Sequence, residues 1–270
     1  MKKIRFVYPQ QTIAVSITGS KCQLNCAHCG GYYLTNMTPF AAVISGERQA
    51  LGSSWLVSGG CKADGSISFE KYLKVLGEMK GKRKFNIHVG LIKKQEISGI
   101  AALADRVSFD FVGDDDTIRE VFGISRTVDD YVDCYQNLRS QVPVTPHICI
   151  GLHGGRLRGE LKALELLHEL GADSLTLIVF TPTKGTRYAD CSPPPLQEVA
   201  NLFNSVRHQF SKVPINLGCM RPGGRYRREL DILAVKAGLN CIVNPALDAV
   251  ALAAKLGIFI TRGEECCCFG

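Results

Sequence analysis

Eight short apolar runs, at residues 12–18, 54–58, 85–89, 107–112, 144–150, 174–180, 214–217 and 241–243, alternate with segments whose apolar residues recur at helical spacing. The helix-period segments are 38–50, 68–80, 93–103, 127–139, 158–170, 196–210, 225–237 and 245–256. A helix between successive strands returns the chain to the edge it started from, so the strands must run parallel. Punctuation agrees: Gly171, Gly238 and Gly257 stand where helix C-termini need a left-handed residue, and Pro194 and Pro195 precede a helix start. No linker or low-complexity tract interrupts the 270 residues, so residues 1–270 read as one α/β domain, a (β/α)8 barrel of TIM type, with 258–270 as a cysteine-bearing tail. Ligand-binding residues of such a fold lie at the C-terminal ends of its strands.

The first of those ends carries Cys22, Cys26 and Cys29, spaced C-x3-C-x2-C. Three thiolates on one short loop can converge on one metal centre, and soft thiolates select iron–sulfur clusters, zinc or copper(I). A structural zinc or a fully ligated cubane wants four protein ligands, yet the next cysteine is Cys61. One iron of a cubane would be left open.

This spacing resembles the signature of the radical S-adenosylmethionine (SAM) superfamily, in which the open iron of a [4Fe-4S] cluster binds SAM. The resemblance implies that Cys22, Cys26 and Cys29 are the catalytic cluster ligands and that His28 stands near the adenine. In much of that superfamily the barrel is an open (β/α)6 partial barrel with a C-terminal extension, the alternative architecture here. Gly59 and Gly60, after the second strand, resemble a Gly-Gly-Glu segment that contacts the amino group of SAM, with Cys61 in place of the acid. Their missing Cβ atoms let backbone approach a ligand. His88, at the third strand, is a further cofactor-binding candidate. Asp110 and Asp114 at the fourth could accept the ribose hydroxyls, although Asp114 equally suits a helix cap. Asp110, in an otherwise apolar strand, needs a partner. Ile150 and Gly151 take an adenine-cradling role by resemblance, and 182–186 resembles a Pro-x-x-Gly-Thr turn of biotin synthase relatives. His153 reads more readily as a structural histidine.

Across nearly the whole chain the likeness is to the biotin-synthase-like group, and within it to the smaller component of two-protein lipoyl synthases. It rests on 107–114, 146–155, 217–222 and the terminal cysteines. It implies reductive cleavage of SAM to a 5′-deoxyadenosyl radical, hydrogen abstraction from an unactivated C–H bond, and sulfur insertion into an octanoyl chain on a lysine of a lipoyl-carrier protein or peptide. It also implies a second radical SAM protein as partner, an electron donor such as ferredoxin or flavodoxin, and a second, auxiliary iron–sulfur cluster as sulfur source. Candidate ligands for that cluster are Cys61, Cys219, Cys266 and Cys267, expected at the barrel mouth with the tail folded over it. Adjacent cysteines point apart, so at most two of Cys266, Cys267 and Cys268 are expected in one site. Two departures stand out. Cys219 replaces an arginine-rich cluster motif of biotin synthases, and only 21 residues precede Cys22, leaving no room for the early auxiliary-cluster cysteines of single-chain lipoyl synthases.

Alternatives are a radical SAM methylase or isomerase without sulfur insertion, a biotin synthase-like sulfurtransferase, and a non-catalytic metal- or nucleic-acid-binding module. Twelve cysteines in a chain of this length, with no secretory leader pattern at its start, read as metal ligands plus small buried residues, not as a disulfide framework. Cys134, Cys149, Cys191 and Cys241 fall in the buried class. The longest apolar stretch, 246–256, is broken by Asp248 and Lys255, so no membrane span is expected and the location reads as cytoplasmic. The net charge of +7 is diffuse apart from Arg221, Arg225, Arg227 and Arg228, and no aromatic platform accompanies them, so no nucleic-acid partner is expected.

Overall fold

Every ladder between named strands is parallel, as the βα alternation requires. The computed structural model describes residues 2–269. Its strands are β1 (Lys3–Val7), β2 (Thr12–Ser16), β3 (Thr38–Pro39), β4 (Ser54–Ser58), β5 (Lys84–His88), β6 (Arg106–Asp110), β7 (Val144–Ile150), β8 (Leu175–Val179), β9 (Ile215–Leu217), β10 (Cys241–Val243) and β11 (Phe259–Gly263). They form one sheet in the order β11-β1-β10-β9-β8-β7-β6-β5-β4-β2-β3. The eight expected strands are β2 and β4 to β10, neighbours in their expected succession. No ladder joins the two edge strands, so the sheet is an open barrel whose edges are β3 and β11.

β1 and β11 extend the sheet beyond β10 and were not anticipated. The signal for β1 was present: Lys3 is exposed while Ile4 and Phe6 are buried, the period-two alternation of a strand. The second half of the chain keeps its helices close to the expected bounds, at Val128–Arg139, Glu160–Glu169, Leu196–Gln209, Gly224–Ala237 and Leu247–Lys255. The first three are shorter. Only Phe40–Ile44 is α-helical within 38–50, where the polar, glycine-containing run 45–49 ends it, and the next two enter through 3-10 turns before Leu73–Lys80 and Ile97–Ala101.

The two faces of the sheet differ in chemistry. Residues beneath the helices are apolar and fully buried, among them Val57, Phe85, Ile87, Val107, Leu177 and Leu217. Trp55 and Phe85 stack there with ring centroids 5.4 Å apart. The alternate residues turn inward and are mostly polar: Asn86 and His88 on β5, Ser108 and Asp110 on β6, Thr145 and His147 on β7, Thr176 on β8 and Asn216 on β9. TIM barrels ordinarily fill the interior with branched apolar side chains. Here Ser108 Oγ donates to Asn86 Oδ1 at 2.9 Å and Asn216 Nδ2 to Thr176 Oγ1 at 3.3 Å, a buried polar layer.

The tail shows that the sheet curls. Residues 265–269 touch Thr12 of β2, Asn86 of β5, Ser108 of β6, Val7 of β1 and Cys241 and Val243 of β10. Strands so far apart in the sheet can meet one short segment only if the sheet wraps around it. Gln11 N donates to Glu264 O at 2.9 Å, and Glu265 accepts from Ser53 Oγ at 2.7 Å and Lys84 Nζ at 2.6 Å, so the tail bridges the gap where β2, β4 and β5 begin.

Candidate functional site

The loop after β2 is held by backbone hydrogen bonds that bring its sulfurs together. Cys29 N and Gly30 N donate to Cys26 O at 3.2 and 2.9 Å, and Ala27 N donates to Val121 O at 2.7 Å. Gly30 and Gly31 then take φ of 49° and 78°, a left-handed pair that turns the chain sharply after Cys29. The turn 182–188 buttresses the loop: Tyr188 N donates to Ala27 O at 3.0 Å, and Tyr33 Oη lies 2.8 Å from Thr183 Oγ1.

Cys61 adds a fourth thiol to the three of the loop, and the four stand as two pairs. Cys26 is hydrogen-bonded to Cys29 and Cys61 to Cys22. The Cys61 thiol holds Cys22 down at about 6 against the opposing effect of burial, with help from the Leu24 backbone. The Cys26 thiol likewise holds Cys29 down at about 4, aided by His28 and the Gly31 N–H. The two donor thiols, Cys26 and Cys61, are pushed up by those same hydrogen bonds and by burial. The site is therefore built to carry thiolates, the form that ligates metal.

Gly60 fixes Cys61 to this loop. A Cβ on Gly60 would lie 2.0 Å from Lys21 O and 2.6 Å from the Cys22 Cα, so only glycine lets the two backbones touch. Gly60 N also donates to Thr18 Oγ1 at 2.7 Å, and Gln23 N to Cys61 O at 2.8 Å. His28 packs edge-on against Phe122 with centroids 5.8 Å apart, and its Nδ1 is buried without a partner.

Inside the mouth, His88 Nε2 donates to Asp110 Oδ2 at 3.1 Å. This is the partner Asp110 required. Burial raises the Asp110 carboxyl, but the charge and hydrogen bond of His88, with the charges of His147 and His28, outweigh it and hold it down at about 2. The side chain is nonetheless 51% exposed, because it faces the lumen and not the packed core. A folded pKa of about 2, below the ordinary value of about 3.9, contributes stability that is full above about pH 4 and disappears as pH falls toward 2. Asp110→Asn should therefore make the fall of the urea midpoint between about pH 4.5 and 2.5 shallower than in the parent chain. An unchanged slope would show that the pairing does not form.

Other candidates have contacts of their own within the fold. Asp114 Oδ2 accepts from Thr117 N at 2.8 Å and Thr117 Oγ1 at 2.6 Å, and pairs with Arg158 at 3.0 Å, so it caps a helix start. His153 is buried between Thr117 Oγ1 and Glu120, each 3.1 Å away, the structural alternative for that residue. Ile150 is wholly buried on the helix side of β7, and the left-handed Gly151, φ 74°, donates its N–H to Glu160 at 2.7 Å.

The auxiliary candidates divide into two groups. Cys61 joins the Cys22 loop. Cys266 and Cys267 lie in the tail, which enters the lumen from the end opposite the mouth instead of covering the mouth. There the 3-10 turn Cys267–Phe269 brings the sulfurs of Cys266, Cys267 and Cys268 within 4.8 Å of one another, so all three converge where only two were expected. Cys268 Sγ is 3.5 Å from Ser108 Oγ and Cys266 Sγ 3.5 Å from Asn86 Nδ2. Hydrogen bonds from Cys266 and Cys267, then Ser108 and the Arg106 charge, hold Cys268 well below the ordinary thiol range despite burial. Cys241 is buried against Cys267 and Cys268, and Cys219 is close enough for the charges of Cys266 and Cys268 to act on it. Cys268 and Cys241 were not among the expected ligands. The inward alternation of polar residues on β5 and β6 was the available signal for where the tail would seat.

No protein-family model matches the sequence, and no curated protein matches it. The fold is similar to solved structures. Methylornithine synthase (PylB) superposes with a TM-score of 0.67 at 13% identity, over 96% of this chain and 84% of that one. SuiB of Streptococcus suis bound to S-adenosylmethionine gives 0.58 at 13%, over 82% of this chain and 52% of SuiB. Coproporphyrinogen III oxidase (HemN) from Escherichia coli, a radical SAM enzyme, gives 0.53 at 12%, over 78% and 53%. At these identities the likeness is one of fold. The chain spans about half the length of the last two.

Proposed function

We propose that this chain is a radical SAM enzyme that inserts sulfur into an unactivated C–H bond, with an octanoyl chain carried on a lysine as substrate and a second radical SAM protein as partner. The observation that carries the reading is that two separate cysteine groups open on one polar lumen. Cys22, Cys26, Cys29 and Cys61 are at the mouth, Cys266, Cys267 and Cys268, with Cys241 beside them, are at the other end, and Cys219 follows the end of β9. The donor set suits soft-metal clusters at both ends: thiols on one short loop at the mouth, three sulfurs within 4.8 Å of one another in the tail, and local effects favouring thiolate in each group.

Cys22, Cys26 and Cys29 would hold a [4Fe-4S] cluster, which would supply the electron for SAM cleavage with a ferredoxin or flavodoxin as donor, and the tail thiols would hold an auxiliary cluster as the source of sulfur. The chain does the rest. Gly60 keeps the backbone flush beside Cys22, leaving no side chain between that wall and a bound cofactor. Asp110, ionised and braced by His88, offers acceptor oxygens for ribose hydroxyls. The curled sheet keeps bulk water from a radical intermediate's target carbon. Leu56 and Ile178 are two of the inward apolar positions that an acyl chain would meet.

Anaerobic reconstitution tests this reading. Iron and sulfide analysis should give two clusters per chain, and reduced protein with SAM and octanoyl-lysyl peptide should form 5′-deoxyadenosine and a thiolated product, the product depending on the partner protein. Replacing Cys266 and Cys268 by serine should spare SAM cleavage and abolish sulfur insertion. One cluster per chain excludes the sulfur-insertion step, and absence of 5′-deoxyadenosine leaves a non-catalytic metal-binding module. A second reading, a radical SAM methylase or isomerase acting on a polar substrate, is favoured by the polar lumen lining. It predicts full product formation in the tail variants.

A further inference from the structure

We propose that Cys61 is a fourth, exchangeable thiolate ligand of the metal centre on Cys22, Cys26 and Cys29, bound when SAM is absent and released when SAM takes its place. The proposal deepens the reading above and rests on an iron–sulfur cluster at that loop. Its starting point is contact. Cys22 Sγ lies 3.8 Å from Cys61 O.

The position of Cys61 is fixed by backbone on both sides and does not depend on a side-chain rotamer alone. Gly60 packs directly on Lys21 O and the Cys22 Cα. Cys61 O accepts from Gln23 N at 2.8 Å, and Gln23 Oε1 accepts from Ala63 N at 3.0 Å, which pins residues 60–63 against residues 21–23. Two chain segments 39 residues apart are thus held in contact at Cys22 and Cys61.

Coordination chemistry then decides what the fourth sulfur does. A cubane ligated by three cysteines has one iron without a protein ligand, and a thiolate in reach is a stronger ligand for iron than water. Binding releases the Cys61 proton. SAM would compete with Cys61 for that iron, and the displaced thiolate would take a proton back. No electron moves in the exchange. Cys61 therefore protects the labile iron between turnovers.

The test uses the full chain, reconstituted anaerobically, with two readouts. Titration with ferricyanide, followed by iron analysis and electron paramagnetic resonance, compares the parent with Cys61→Ala. The variant should lose about one iron per chain and give a [3Fe-4S] signal, while the SAM-free parent keeps its iron. On the parent alone, iodoacetamide labelling with peptide mass spectrometry should find Cys61 protected in the cluster-loaded protein and labelled once SAM is added. Equal iron loss in parent and variant, or labelling of Cys61 regardless of SAM, overturns the proposal while leaving SAM cleavage intact. Iron absent from both proteins overturns the radical SAM reading and this proposal together.

Discussion

Arg221→Ala should lower the free energy of unfolding by about 3–5 kcal/mol, a large fraction of the 5–15 kcal/mol typical of a domain. Arg221 and Asp231 form a side-chain pair with no exposed surface, with Nε to Oδ1 at 2.8 Å and Nη2 to Oδ2 at 3.0 Å. The guanidinium also donates to Gly218 O at 2.6 Å and Val243 O at 2.7 Å, and Asp231 Oδ2 accepts from Ala246 N at 2.8 Å. One residue thus ties the ends of β9 and β10 to the helix Gly224–Ala237. Truncation leaves a buried carboxylate without its counter-charge and two carbonyls without donors. Urea unfolding at neutral pH measures the loss. The double substitution Arg221→Met with Asp231→Leu should cost less than the sum of the two single changes, because it removes both charges at once. Strict additivity would show that the two side chains do not interact.

Gly60→Ala is expected to reduce SAM cleavage by about 100-fold, the scale of loss that a shift of about 1 Å in a reacting group produces. The added methyl would sit 2.0 Å from Lys21 O and 2.6 Å from the Cys22 Cα, and both obstacles are backbone atoms that cannot rotate away. The Cys22 loop must move, and the register between Cys22 and Cys61 moves with it. Cluster content per chain and 5′-deoxyadenosine yield, measured on the same preparation, check the result. Gly223→Ala, where a Cβ meets nothing within 4 Å, is the control and should leave both unchanged. Wild-type iron content and turnover in Gly60→Ala would show that the loop tolerates displacement and that Gly60 does not position it.

Arginine-rich 221–228 illustrates how composition misleads about a surface. Arg221 is buried in its ion pair, Arg225 pairs with Glu229 four residues on, and Arg227 donates to Cys219 O at 3.0 Å. The run looks like a basic patch in sequence and is partly a structural joint. Asp231 lies ten residues downstream, and nothing local marks it as the partner.

The sheet was legible because strand and helix periods are local properties of the chain. Each expected strand is present, and the parallel sense follows from connections that local patterning reveals. The inward set was legible too, in retrospect: Asn86, His88, Ser108 and Asp110 alternate with apolar residues that must be buried against helices. The edges were not. β1 is a short run at the start of the chain, β11 has Arg262 and Gly263 at its end, and whether such strands join a sheet depends on the edge available.

The sequence by itself determined the α/β class and the placing of Cys22, Cys26 and Cys29 on one short loop after β2, because each depends on spacings of a few residues. Tertiary structure decided which cysteines meet across long separations. Cys61 reaches Cys22 because Gly60 lets β4 and the first loop touch, and the tail thiols reach β5, β6 and β10 because the sheet curls around them. Contacts of that kind depend on strand order and curvature, which emerge only when the helices pack and the sheet bends.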